Sequence, residues 1–186
     1  MKPVSKRAAA QVLAGLALEP DNRVLADHWL SLWTGDALPP RAKLDPRQIK
    51  PFLPNLLLFE VVPDKSVVIR LAGTRYRRAL NTELTGQDWI ALAPEHYRAE
   101  RLRIISAIAR GAIGVGHRRV PLTHGADYVC EEILLPFAPE CGDTHPVLVH
   151  VNWKAEEFVQ IRSTQKALGD PLDFRICALH EEKAAV

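Results

Sequence analysis

The chain has 186 residues, 47% of them hydrophobic, and a mean hydropathy of -0.07, so it can bury one sizeable core and does not have the composition of a disordered polymer. Its 24 basic and 22 acidic residues leave a formal charge of +2, without the basic excess of a dedicated nucleic-acid binder. Cys130, Cys141 and Cys177 have no CxxC or CxxH spacing, which excludes a disulfide framework and a zinc site and fits free thiols in a reducing compartment.

In chain order, Lys2, Lys6 and Arg7 precede the apolar run AAAQVLAGLAL. The run is short, alanine-rich and interrupted by Gln11, so it reads as an amphipathic helix with Val12, Leu13 and Leu16 on one side rather than as a signal peptide. No segment is long enough to span a bilayer, and a cytoplasmic protein with no membrane partner is expected. Residues 22–33, NRVLADHWLSLW, place Leu25, Trp29, Leu32 and Trp33 at helical spacing behind an Asn22 cap. This stripe must be covered by an outer sheet face or by a second subunit. A proline-rich stretch follows, in which Asp45-Pro46 starts a helix that Pro51 and Pro54 hold to one or two turns.

LLLFEVV (56–62) and VVIRLAG (67–73), separated by Pro-Asp-Lys-Ser, predict a hairpin. A symmetric loop would set Val62 opposite Val67 and Phe59 opposite Arg70. Both faces of these strands are mostly apolar, so the sheet is expected to be covered on both sides. Thr74 caps the short helix RYRRAL and Asn81, tolerant of a left-handed backbone, ends it. Thr85-Gly86 is a turn, and Asp88 caps a further short helix with Trp89, Ile90 and Leu92. Pro94 opens the strongest helix, EHYRAERLRIISAIAR, which Gly111 closes.

Three strands come next: IGVGHRRVP, DYVCEEILLPFA and PVLVHVNW. The last alternates, with Val147, Val149, Val151 and Trp153 opposed to Leu148, His150 and Asn152. Residues 154–186 carry one helical pattern near 155–167 and a break at Gly169-Asp170-Pro171. Short connections between successive strands favour an antiparallel sheet. The expectation is an α+β domain over residues 22–153, after an N-terminal helical extension (1–21) and before a C-terminal helix or tail (154–186).

With RLAGTRYRRALNTELTGQDW (70–89) at its centre, this arrangement resembles the PAS domain family, and more narrowly a bacterial subfamily of short, single-PAS proteins. The tryptophan-bearing helix, LPPRAKLDP, the hairpin ending in RLAGT, the LTG turn, the long helix and the strand ending EILLPF carry the likeness over about residues 24–153. The resemblance implies a five-stranded antiparallel sheet curling around a pocket, with helices packed on one face. It also implies a sensory or interaction role, often as a homodimer; the residues outside the domain have no room for a kinase, cyclase or DNA-binding segment, so output through another polypeptide is expected. Asn81 stands where many relatives have glycine, a change the left-handed conformation tolerates.

A PAS fold does not set the ligand. Flavin photochemistry in this fold needs a cysteine near Trp89, and none precedes Cys130. Haem sensors of the fold use a histidine of the long helix, where His96 alone is present and falls on the polar face. Neither cofactor is expected, and the ligand stays open. His117, His124, His145 and His150 are too irregularly spaced for a metal site.

On a helical wheel, Tyr97, Leu102, Ile104, Ile105, Ile108, Ala109 and Ala112 form the apolar arc of the long helix. Arg101 falls near the middle of that arc and Arg98 beside it, while Arg103, Arg110, Glu100 and Ser106 fall on the polar face. A buried guanidinium needs a partner. Arg101 can snorkel to water, pair with Glu131 or Glu132, or clamp a small anionic ligand. Arg70 either stacks on Phe59 or joins Arg101 in a pocket. Arg75, Arg77 and Arg78 read as a solvated face. Trp89, Tyr97 and Tyr128 are either core or cavity lining.

No GxSxG elbow or glycine-rich phosphate cradle occurs, and adjacent Glu131 and Glu132 point to opposite faces of a strand. The first expectation is a non-catalytic sensory module whose candidate ligand residues are Arg70, Trp89, Tyr97, Arg98, Arg101, His117 and Tyr128. Its rivals are a small-acid enzyme, with Arg101 as anchor and His117 or His150 as base, and an interaction domain with a filled core.

Overall fold

A computed structural model describes residues 4–120, 128–152 and 172–179. Strands β1 (Leu56–Val62), β2 (Ser66–Ala72), β3 (Ala112–Val120), β4 (Tyr128–Pro136), β5 (His145–Asn152) and β6 (Asp173–Ala178) form one sheet in the order β2-β1-β5-β4-β3-β6. Every neighbouring pair is antiparallel, and the four α-helices among the described residues complete an α+β fold. These are α1 (Lys6–Ala14), α2 (Pro20–Ser31), α3 (Thr74–Leu80) and α4 (Glu95–Ala109). Among the described residues, no helix is long and apolar enough to cross a membrane.

The sheet has six strands where five were expected. The sixth, DFRICA, alternates Phe174 and Ile176 toward one core and supplies hydrogen-bond partners to the otherwise open edge of β3. The pattern near 155–167, the break at 169–171 and Trp153 lie outside the described residues.

Helices cover both faces of the sheet, as the apolar strands required, and not one face alone as the resemblance implied. On the inner face, α3 and α4 bury Tyr76, Leu80, Ile104, Ile105 and Ile108 against Phe59, Val147, Val149 and Val151. On the outer face, α1, α2 and the turn after α2 bury Leu13, Leu25, Trp29 and Trp33 against Leu56, Ile133, Leu135 and Leu148. The tryptophan stripe is therefore covered within the chain. Trp29 is fully buried, its Nε1–H donates to the Pro136 carbonyl (2.9 Å), and Trp33 packs edge-on at 5.4 Å.

The β1–β2 register differs from the symmetric expectation. The loop has three residues, so Val61 faces Val67 and Phe59 faces Ile69, with an irregularity between Leu58 and Phe59 opposite Arg70. The tighter turn has a tertiary cause. Asp64 adopts φ 61°, its N–H donates to Ser106 Oγ (2.7 Å), and its carboxylate pairs with Arg110. Ser106, expected on a solvated face, is accordingly buried beneath this hairpin.

Two expected short helices are turns. After Asp45, whose Oδ1 accepts from the Arg47 N–H (2.9 Å), the chain forms turns and then a 3-10 turn at Leu53–Asn55. After Asp88, whose Oδ1 accepts from the Ile90 N–H (2.8 Å), residues 89–92 also form turns. The α3 helix has no side-chain cap from Thr74, because it starts after Gly73, and it ends at Asn81 in the left-handed conformation, φ 49°.

Candidate functional site

The turn at Thr85-Gly86 positions the first aromatic wall of the site. Gly86 at φ 85° folds the chain back along β2, the open edge of the sheet. The Gly86 N–H donates to the Ile69 carbonyl (2.7 Å), the Ile69 N–H to Gln87 (3.0 Å) and the Trp89 N–H to Val67 (2.8 Å). The edge is thereby covered and Trp89 is delivered over the inner face, its ring centroid 5.0 Å from that of Phe59.

Helix α4 supplies the opposite wall. Pro94 precedes it and Gly111, at φ 111°, closes it. Arg101 is 3% exposed, and its guanidinium donates to the Trp89 carbonyl (3.1 Å). The same group lies 4.6 Å from the Trp89 ring centre and 5.5 Å from that of Tyr97, so two aromatic faces offset part of its desolvation. Arg98 donates to the Ala93 and Ala91 carbonyls (3.1 and 3.2 Å) from the surface. The two arginines thus pin the turn that carries Trp89.

The floor is the sheet. In β3 the residues Gly114, Gly116, Arg118 and Val120 share the inner face, and Arg118 meets Glu132 of β4 across the ladder. Arg118 Nε and Nη2 donate to the two carboxylate oxygens (3.2 and 2.8 Å), a bidentate pair with both side chains under 10% exposed. Burial opposes the charge on Arg118, but the Glu132 charge and hydrogen bonds outweigh it and hold its pKa above the ordinary value. Beside this pair, burial foremost and then Glu132 push the Cys130 thiol up to about 12, which makes it a poor nucleophile.

These walls enclose a cavity between α4 and the inner face. Phe59, Trp89, Tyr97 and Phe174 line it with rings, Ile104, Ile105, Leu134 and Val149 with aliphatic groups, and Arg101, Arg118 and Glu132 with charge. The volume open to the centre of a water molecule is about 20 Å³, enough for one water.

Of the seven residues singled out in the sequence, Trp89, Tyr97 and Arg101 meet at this cavity. Arg98 stands next to it on the surface side of the turn. Arg70 is exposed and lies 3.5 Å from Glu60, because the register turns Ile69 inward. Tyr128, at the start of β4, packs on the edge of the same core without lining the cavity. His117 is on the outer face and half exposed, 3.0 Å from Asp173 and 3.9 Å from Glu131. Neither Glu131 nor Glu132 is the partner of Arg101: the first is on the other face and the second is held by Arg118. The exposed ring of His96 lies outside the cavity. Arg118, the glycines beside it and Phe174 were missed. The available signal was an arginine and a glutamate on inward positions of successive strands.

A second polar cluster is buried under α2. Glu131 Oε1 accepts from the Glu19 N–H (2.9 Å) and from Asn22 Nδ2 (2.7 Å). A carboxylate only accepts, so Asn22 turns its Oδ1 toward His150 Nδ1 (2.5 Å), and that nitrogen carries the proton. His150 Nε2 is buried with no partner among the described residues. Burial, with a smaller contribution from Arg75, lowers the His150 pKa to about 4. Both His117 and His150 therefore stand on the other side of the sheet from Arg101. Among the described residues, no group of three His, Cys, Asp or Glu side chains is placed to hold a metal ion.

The sequence profile of a PAS domain matches residues 18–150, well over half of the chain. The chain belongs to the PAS domain family. No curated protein matches it. PAS domains are in general sensory and signalling modules, and the six-stranded sheet with its covered cavity is consistent with that fold. The matched span starts just before α2 and ends within β5, so α1 and β6 lie outside it.

Proposed function

We propose that this PAS domain is a cytoplasmic sensor that admits a small organic acid to the cavity between α4 and the sheet. It reports occupancy, as a homodimer, to a separate signalling protein. The observation that supports this reading is the set of buried charges around an aromatic-walled cavity. Arg101, Arg118 and Glu132 lie in the core of the domain, where desolvation costs several kcal/mol per ion and apolar residues of similar volume would pack as well. A guanidinium flanked by two rings suits a planar carboxylate.

A second reading is favoured by the volume. A cavity with room for about one water is nearly a filled core, as in a pure protein-interaction domain. Native mass spectrometry of protein purified from its own host, compared with the denatured mass, separates the two. Sensing predicts a retained small molecule that is lost from an Arg101→Met variant shown by circular dichroism to be folded. A wild-type spectrum with no added mass supports the interaction domain. A ligand held unchanged by Arg101→Met refutes the guanidinium's part in binding.

A further inference from the structure

We infer that Phe174 is a built-in occupant of the site, and that a ligand with a flat ring enters by displacing it together with β6. The inference rests on the sensory reading above and names the ligand class: a ring of about phenyl size bearing a carboxylate.

The slot that holds Phe174 is shaped for a ring. Gly114 and Gly116 sit side by side on the inner face of β3, opposite Ile176 and Phe174. A methyl group on Gly114 would lie 2.8 Å from the Phe174 ring and 2.7 Å from Ile108. One on Gly116 would lie 2.5 Å from the same ring and 2.8 Å from the Asp173 carbonyl. Two successive inward positions are thus stripped of Cβ, and the space they free is one ring thick. That ring is also a wall of the cavity, so removing it joins the slot to the chamber edged by Trp89, Tyr97 and Arg101. A benzoate-like molecule lying in the slot would direct its carboxylate toward the Arg101 guanidinium and lay its ring among the aromatic side chains.

The strand that carries the plug is an edge strand fastened more firmly at one end than at the other. None of the six residues of β6 is fully buried, and among the described residues it pairs with β3 alone. Its leading end bears exposed Leu172, whose N–H donates to the His117 carbonyl (2.7 Å), and the partly exposed hydrogen-bond contact between the Asp173 carboxylate and His117 Nδ1. Its trailing end is fastened. Leu179 is fully buried in the outer core, its N–H donates to the Gly111 carbonyl (3.0 Å), and its own carbonyl accepts from Ser5 at the start of α1 (3.1 Å). The strand can therefore lift from the Leu172 end and pivot at Leu179, where α1 senses the movement.

The test uses the full chain with Cys141 and Cys177 replaced by serine and with Val115→Cys and Arg175→Cys, a registered β3–β6 pair. Benzoate binding is measured by NMR titration before and after oxidation, with acetate as the ringless control. The expected result is benzoate binding by the reduced protein, weakened at least tenfold by the disulfide, with acetate at least tenfold weaker than benzoate. Phe174→Ala, checked for folding, is expected to bind benzoate at least tenfold more tightly than wild type. Equal binding in the locked and unlocked forms overturns the lid and leaves the sensory reading standing. Binding by Phe174→Ala alone shows a plug that does not lift, and overturns displacement. Absence of benzoate binding in every form, or acetate binding as tight as benzoate, overturns the ring slot. A wild-type native spectrum without ligand counts against the sensory reading itself.

Discussion

Lowering the pH from 7 to 5 should destabilise this domain through His150 specifically. The ring is fully buried, its Nδ1–H is committed to Asn22, and Nε2 has no acceptor among the described residues to receive a second proton's hydrogen bond. Its pKa falls from 6.5 to about 4 in the folded chain, while in the unfolded chain it returns to about 6.5. The unfolded state therefore binds more protons between these values. Stability is complete above about pH 6.5, falls as the pH drops toward about 4, and levels off below. Linkage over that window gives a loss of about 1.8 kcal/mol between pH 7 and pH 5. With a urea m-value of about 2 kcal/mol/M, the unfolding midpoint should move by about 0.9 M. The assay is urea unfolding of wild type and His150→Gln at both pH values, followed by circular dichroism. Other groups titrate in both proteins, so the difference between the two shifts isolates His150. The variant should lose less stability than wild type by about 1.5–2 kcal/mol. A difference below about 0.5 kcal/mol would refute the reasoning, since it would mean that the imidazole finds solvation or a partner when charged.

Two further outcomes are expected. Arg118→Met leaves the buried Glu132 carboxylate without its guanidinium and should lower stability by about 3–5 kcal/mol, whereas Arg118→Met with Glu132→Leu should recover most of that loss in the same unfolding assay. An additive double variant would show that the two charges are not coupled. Gly73→Ala places a methyl group into the backbone carbonyls of Leu53 and Pro54, which cannot yield as side chains do. It should cost about 3 kcal/mol and lower the melting temperature by about 6–12 °C, while Gly35→Ala, which meets nothing within 4 Å, serves as the control.

Much of the candidate site was legible because it obeys local periodicity. The helical wheel put Arg101 in the apolar arc of α4, and it is buried there. Period-two alternation sent Glu131 and Glu132 to opposite faces, where one meets Asn22 and the other Arg118. It also divided Val147, Val149 and Val151 from Leu148. What was not legible depends on partners distant in sequence. Ser106 is polar by composition and buried because a hairpin turn 42 residues away needs its oxygen. Arg70 faces solvent because one residue fewer in a loop inverts which neighbours turn inward.

The sequence alone thus determined the order of β1 to β5 and of the four α-helices, the antiparallel character of the sheet, and the facing of most side chains within α4, β4 and β5, since these follow from backbone periods of about 3.6 and 2 residues. Only the tertiary structure decided that α1 and α2 cover the outer face, that Arg118 holds Glu132, and that Phe174 returns from the far end of the chain to fill the groove over Gly114 and Gly116. Those choices turn on desolvation and shape. A buried charge or a missing Cβ specifies what kind of neighbour it needs, and the folded chain specifies which residue provides it.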